Sequence, residues 1–345
     1  MPSRTLPSRS TIMMRKLRVA AVSAAALLAL TACGSGSPTE GGTTTAPAEG
    51  SEPAASGELT PIEVGVIPIV DVAPIYLGVE EGIFEKHGLD VTLTLAQGGA
   101  AIVPAVQSGQ MDFGFSNVTS LIIGRDAGLP LKVVATGPQT TGDGEDDFAH
   151  VMVPADSDAT SLADLEGKRI AVNTLNNIND SVISEGMKQE GGDPESIEYV
   201  EMAFPDMVAQ LEAGNVDAIG AVEPFVTLAE AAGAQRVYGQ YAEPVPDLSI
   251  AAYFTTDQKI EQDPELVDAF TAAMKESQQF ATDNPDLAKA VLPSYTSLEQ
   301  DVIDELTMPR FPQEHDIASL EKIAELSLDS GLIDAIPATE DLIVQ

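Results

Sequence analysis

Residues 62–99 read IEVGVIPIVDVAPIYLGVEEGIFEKHGLDVTLTLAQGG, and this stretch decides the fold. Ile62–Ile69 is a short β-branched apolar run of the kind buried in a parallel strand. Residues 70–73 follow as a loop. Pro74 then suits a first helical position, where its missing N–H would have no partner anyway. Ile75, Tyr76, Val79 and Ile83 keep helical spacing, and Gly82 and Gly88 punctuate the end. Val91, Leu93 and Leu95 alternate with Thr92 and Thr94, which predicts a second strand. Strand, loop, helix and strand make half of an open α/β sheet. Such sheets bind ligands beyond the carboxyl ends of their strands, so the loop around Asp71 is the first place to look for a site.

The same module returns at an offset of 105 residues. Gly167–Val172 answers Ile62–Ile67, Asn176 answers Asp71, and Ser196–Val200 answers Val91–Leu95. Gly109-Gln110-Met111-Asp112 matches Gly214-Asn215-Val216-Asp217, each after an apolar helix and before a short strand. Four landmarks in register predict two similar α/β lobes facing each other across a cleft.

With 345 residues, 44% of them hydrophobic, the chain is long enough for two lobes with cores of their own. Its net charge is −37, and five of its 17 basic residues lie before Cys33 in a stretch without acids. That acidity argues against nucleic acid as a partner, because phosphate binding needs clustered Lys and Arg. Residues 13–33, MMRKLRVAAVSAAALLALTAC, have the form of an export signal: basic start, apolar Val19–Leu30, then small residues. The apolar run is too short for a stable membrane span. Leu30-Thr31-Ala32-Cys33 resembles the bacterial lipobox, in which cleavage precedes a cysteine that becomes lipidated. Gly34–Gly57 is rich in Gly, Ser, Thr, Pro and Glu and reads as a flexible tether. The expected organisation is a signal peptide over 1–32, a tether over 33–59, a first lobe of 60–138 with 253–345, and a second lobe of 139–252.

In the first lobe, Gly98 and Gly99 precede a helix, where free backbone N–H groups can point at a negative group. Ser116, Asn117 and Thr119 stand at the carboxyl end of the next strand, placed either to line a cleft or to cap the helix that follows. Gly137-Pro138 is the expected first crossing between lobes, and Tyr253, in the returning strand Ser249–Thr255, the second. The acidic loop Thr140–Asp147 lacks the ligand spacing of an EF-hand and reads as a solvated loop.

In the second lobe, Asn173, Thr174, Asn176, Asn177 and Asn179 form the densest polar-amide segment, at a helix N-terminus where the repeat puts the twin of the Asp71 loop. Amides offer donors and acceptors without charge and also tolerate turn geometry. Phe204 is placed either to stack on a ligand or to staple its helix. Glu223 ends the next strand and, with Phe204, completes the candidate set. The stripes from Pro264 onward are core-facing helices.

These residues carry a family resemblance. Tyr76–Phe84 (YLGVEEGIF), Gly88–Val91, the run Ser161–Val172 (SLADLEGKRIAV) and Glu223-Pro224-Phe225 resemble the nitrate, sulfonate and taurine binding-protein family of ABC importers, over essentially all of 60–335. The resemblance implies a type II periplasmic-binding-protein fold. Each lobe would hold a central, mostly parallel sheet flanked by helices, and the lobes would close on a solute at a double-stranded hinge. It also implies an ABC permease and ATPase as partners, the outer face of the cell membrane as location through lipid on Cys33, and a monomeric chain. No cofactor or metal is expected. Asp71 and Glu223, if turned inward, would repel a bare anion by roughly 4 kcal/mol per charge pair at 4 Å. A taurine-like zwitterion therefore suits the site better than nitrate, with a pyrimidine as an alternative. The family also resembles a pyrimidine-forming protein of thiamine synthesis that uses a cysteine-rich motif and a histidine. This chain has one cysteine and three scattered histidines, His87, His150 and His315, which argues against that enzyme reading.

Overall fold

The computed structural model describes residues 58–344. The expected signal peptide, Cys33 and the tether up to residue 57 lie outside the described residues. Ten strands follow one another: β1 Thr60–Val66, β2 Leu89–Leu95, β3 Phe113–Asn117, β4 Leu131–Thr136, β5 Ala149–Val153, β6 Arg169–Val172, β7 Glu198–Glu201, β8 Ala218–Val222, β9 Gln235–Gly239 and β10 Ala251–Thr256. They form two five-stranded sheets, ordered β2-β1-β3-β10-β4 and β7-β6-β8-β5-β9. In both, the order is second, first, third, an inserted strand, fourth. The inserted strands, β10 and β5, are the antiparallel ones. Each is the strand the chain forms just after it passes from one sheet to the other.

The paired strands of the opening module are parallel and in register, Ile62 opposite Val91 and Val64 opposite Leu93. The first strand stops at Val66, short of Ile69. Pro68 has no N–H to donate, and Ile69 N–H turns back to the Ile67 carbonyl at 2.9 Å. Val70–Val72 then form a 3-10 turn leading into the helix Ala73–Glu80.

The repeated Gly-x-x-Asp has a structural cause in both lobes. Gly109 and Gly214 adopt φ of 73° and 69°, the left-handed turn that ends a helix at little cost only for glycine. The aspartate three residues on then fastens the next strand to the first. Asp112 Oδ2 accepts from Glu63 N–H at 2.9 Å, and Asp217 Oδ2 accepts from Arg169 N–H at 2.9 Å. In return, Asp112 and Asp217 N–H donate to the Glu63 and Arg169 carbonyls at 2.8 and 2.9 Å.

The helices after β10 return to the first sheet. Helix Pro264–Asp283 packs along helix Ala73–Glu80, and Phe270 stacks on Phe113 at 3.9 Å between centroids. Helix Ile317–Asp329 touches helices of both lobes, Val118–Asp126 and Ile178–Gln189. Among the described residues no helix is long and apolar enough to cross a membrane.

The chain passes between the sheets twice, and the two passages pair with each other. Ile250 N–H donates to the Pro138 carbonyl at 2.9 Å and Thr140 N–H to the Leu248 carbonyl at 3.0 Å. Tyr253, expected at the second crossing, instead stands inside β10 between Phe115 of β3 and Ala135 of β4. Its ring is fully buried against Phe115 and Phe270, which fixes it in the first lobe's core. Gly137 lies where the passages begin, and a Cβ there would drive into the Ala251 carbonyl oxygen. Backbone cannot give way as a flexible side chain can. Gly137→Ala is therefore expected to lower stability by about 1–3 kcal/mol, read as a drop in urea midpoint at unchanged m-value.

Candidate ligand-binding cleft

The carboxyl ends of β1 and β3 in one lobe face those of β6, β7 and β8 in the other. Between them lies a hollow of about 430 Å³, counted to its open mouth. The enclosed part has room for water-sized molecules over only about 40 Å³, a few waters' worth. Five of the residues singled out from the sequence line it: Asp71, Asn117, Asn173, Asn177 and Phe204. Thr174, Asn179, Phe115 and Tyr241 line it too, with Ile67, Ile69 and Ile178 among the apolar residues. No Lys or Arg is among the lining residues. Arg125 pairs with Asp257 at 2.8 Å, and Lys132 Nζ donates to the Glu340 carbonyl at 2.7 Å.

Asp71 is the unusual member. It is 3% exposed, its Oδ1 has no hydrogen-bond partner among the described residues, and it sits in the short turn between β1 and its helix. Burial raises its pKa from 3.8 to about 7; a backbone N–H opposes the rise and the charge of Asp147 adds to it. A carboxylate held this way gains most from a donor supplied by a guest.

The amide segment is partly consumed by its own backbone. Asn177 caps helix Ile178–Gln189, and Asp180 closes a capping box by accepting Asn177 N–H at 2.6 Å. Asn176 is exposed, with φ of 52°, and its N–H goes to Asp180 Oδ2 at 2.5 Å. Asn179 Oδ1 accepts from Gln240 Nε2 at 3.0 Å and from Tyr241 Oη at 2.7 Å, which braces it against the loop after β9. Asn117 both lines the hollow and caps helix Val118–Asp126, accepting Ser120 N–H at 2.8 Å.

Several hydrogen bonds join the lobes around the hollow. Asn173 Nδ2 donates to the Gln97 carbonyl at 3.2 Å, Asn177 Nδ2 to Ser120 Oγ at 2.9 Å, and Val70 N–H to the Glu223 carbonyl at 3.2 Å. The structure is thus in a closed arrangement. Gly98 contributes by leaving room: a Cβ there would come within 3.0 Å of Asn173 Oδ1. Gly99 lies against Ser116, whose buried Oγ has no partner among the described residues.

The remaining expected residues lie outside the lining. Ser116 and Thr119 are buried behind it, Asn176 points to solvent, and Gly98 and Gly99 shape its edge. Glu223 is fully buried beside the hollow. Its carboxylate accepts from Thr227 N–H at 3.0 Å, Thr227 Oγ1 at 2.8 Å and Thr307 N–H at 3.3 Å, so it tethers elements of both lobes. Tyr241 carried no sequence signal, since the loop that holds it has no periodicity.

A profile of the NMT1/THI5-like family matches residues 69–288, which takes in every described strand except β1 and all of the hollow's lining except Ile67. The chain belongs to this family. Among its relatives, the formylaminopyrimidine-binding protein of Halalkalibacterium halodurans is 23% identical over 221 residues, covering 63% of this chain and 64% of that protein. The taurine-binding periplasmic protein of Escherichia coli is 25% identical over 207 residues, 59% of this chain and 61% of the relative. The chain thus spans less than two-thirds of the length of these curated relatives. The solved alkanesulfonate-binding protein SsuA from Xanthomonas axonopodis pv. citri, bound to MOPS, superposes with a TM-score of 0.69 at 16% identity, covering 86% of this chain and 99% of that one. The NMT1/THI5-like chain therefore has the periplasmic-binding-protein fold.

The raised pKa of Asp71 has a signed consequence. The folded protein holds that proton more tightly than the unfolded chain, so this group's contribution to stability falls as pH rises from 3.8 through about 7. Asp147, Asp180 and Glu223 are also raised by burial and act in the same direction, so the variant comparison isolates Asp71. Asp71→Asn is expected to gain stability relative to the wild type as pH rises across that window, measured as urea midpoints at matched ionic strength.

Proposed function

We propose that the protein is the extracytoplasmic solute-binding component of an ABC importer, held at the membrane by lipid on Cys33, and that it captures a small amine-bearing solute without chemical turnover. The observation that carries this reading is a buried carboxylate, Asp71, whose Oδ1 has no partner among the described residues, in a hollow between two hydrogen-bonded lobes. Family membership and the relatives named above support the transport role. Closure is favoured when a solute contacts both lobes, because only the closed state supplies both sets of contacts. The permease would then recognise the closed lobes.

A taurine-like zwitterion fits this lining. Its amine would donate to Asp71, and its sulfonate would lie toward the amides of Asn173 and Asn177 at the start of helix Ile178–Gln189, where the helix dipole favours negative charge. An aminopyrimidine is a second reading, favoured by the rings of Phe115, Phe204 and Tyr241 around the hollow. Nitrate fits poorly beside Asp71 with no basic residue in the lining. An enzymatic role has no support in the histidines. His87 pairs with Glu276 on the surface, while His150 is buried in β5, where burial and Arg236 push its pKa down to about 4.

Calorimetric titration of the purified protein with taurine, alkanesulfonates, nitrate and an aminomethylpyrimidine tests the reading. An amine-bearing solute is expected to bind and nitrate not to. Asp71→Asn should weaken that binding by about 10- to 100-fold, the range for losing a charged hydrogen bond. Tight nitrate binding without any amine-bearing ligand would overturn it. In a cell fractionation, Cys33→Ser is expected to move the protein from the membrane fraction to the soluble one.

A further inference from the structure

Asp71 shares its surroundings with a second buried carboxylate. Asp71 is 3% exposed and Asp147 is fully buried, and each keeps one carboxyl oxygen without a partner among the described residues. The donors are unevenly divided between them. Asp147 Oδ1 accepts from Thr141 N–H at 3.0 Å and from Thr141 Oγ1 at 3.2 Å, whereas the donor reaching Asp71 is its own backbone N–H. No Lys or Arg lines the hollow, and its enclosed part has room for only a few waters. So few waters cannot rebuild the hydration shell of a carboxylate.

The other titratable groups around Asp71 are phenols and committed side chains. In the first lobe, Tyr76 stacks on Tyr295 at 3.9 Å between centroids, Tyr295 Oη donates to the Ile69 carbonyl at 3.1 Å, and Tyr253 is buried in β10. In the second, Tyr241 donates to Asn179, while Asp180 and Glu223 accept from backbone N–H groups. Burial holds all four phenols above their ordinary range, so none of them ionises near neutrality. Behind Asp147, burial keeps His150 neutral and Arg236 pairs with Glu230. On helix Pro264–Asp283, Lys275 pairs with Glu314, and Glu276 with Lys86 and His87, at the surface. Two carboxylates buried together without a cation cannot both be charged without a large cost, and the one with more donors keeps the charge. The proton therefore belongs on Asp71.

We propose that capture at Asp71 is an exchange of cations: Asp71 is the neutral acid before capture, and the incoming ammonium takes the place of its proton, which leaves to solvent. The inference rests on the amine-bearing solute read above and adds the exchanged proton. Only the carboxyl O–H breaks, and the charges balance, since one positive charge enters the hollow as one leaves. Asp71 thus carries no unpaired charge before or after capture. The pKa of about 7 that burial gives Asp71 agrees with this assignment. Capture weakens in acid, because protons then compete with the ammonium for the same oxygen.

Calorimetric titration of the full chain with taurine and with propylamine, in pairs of buffers of unlike ionisation enthalpy, counts the protons released. About one proton per solute is expected at about pH 6 and close to none at about pH 8, with affinity rising about tenfold per pH unit below about pH 6.5. Asp71→Asn, which has no proton to exchange, should bind weakly and release none at either pH. Before any solute is added, the infrared difference between wild type and Asp71→Asn at about pH 6 should carry a protonated carboxyl band that either probe abolishes. Binding of a probe without proton release at that pH, or an ionised Asp71 in the infrared spectrum, overturns the exchange and leaves the amine reading intact. Absence of binding by both probes at about pH 8, where protons do not compete, overturns the amine reading and the exchange with it.

Discussion

Everything in this molecule depends on two stretches of backbone that pair with each other. Residues around Pro138–Thr140 leave the first sheet, residues around Leu248–Ile250 return to it, and they hydrogen-bond as neighbouring strands. A third segment joins them, since Gln139 and Arg310 exchange backbone hydrogen bonds at 2.9 and 3.0 Å. Two bonded passages tie one sheet to the other. The carboxyl ends of the strands in each lobe are thereby held facing one another across the hollow.

The crossings also explain why each sheet carries one antiparallel strand. A chain entering a parallel sheet from the far lobe arrives at the cleft end, where the parallel strands finish. It must therefore run backward between strands already present, as β5 does between β8 and β9 and β10 between β3 and β4. The aspartates after Gly109 and Gly214 then fasten each third strand to the first.

Within the cleft, the electrostatics are set by what is missing as much as by what is present. Among the lining residues no cation faces Asp71, and burial raises its pKa toward neutrality. The amides around it are largely committed, Asn177 to a cap and to Ser120, Asn179 to Gln240 and Tyr241. Such commitment pre-organises them, because side chains already held in place lose little freedom when a guest arrives.

The sequence by itself determined the α/β class, the doubled module and most of the site's polar membership. Apolar periodicity and Gly-x-x-Asp are local signals, written within a strand–helix–strand unit, and so were Asp71 and the Asn173–Asn179 segment. Only the tertiary structure decided which way the side chains turned. Glu223 ends β8 much as Asn117 ends β3, yet its carboxylate is taken by Thr227 and by Thr307, some eighty residues away, an encounter no local pattern records. Tyr241 reaches the hollow from an aperiodic loop, and Tyr253 belongs to a core rather than a crossing, for the same reason. Strand registers and helix caps arise from neighbours in sequence, whereas the contents of a cleft arise where two lobes meet, and that meeting is a property of the folded chain.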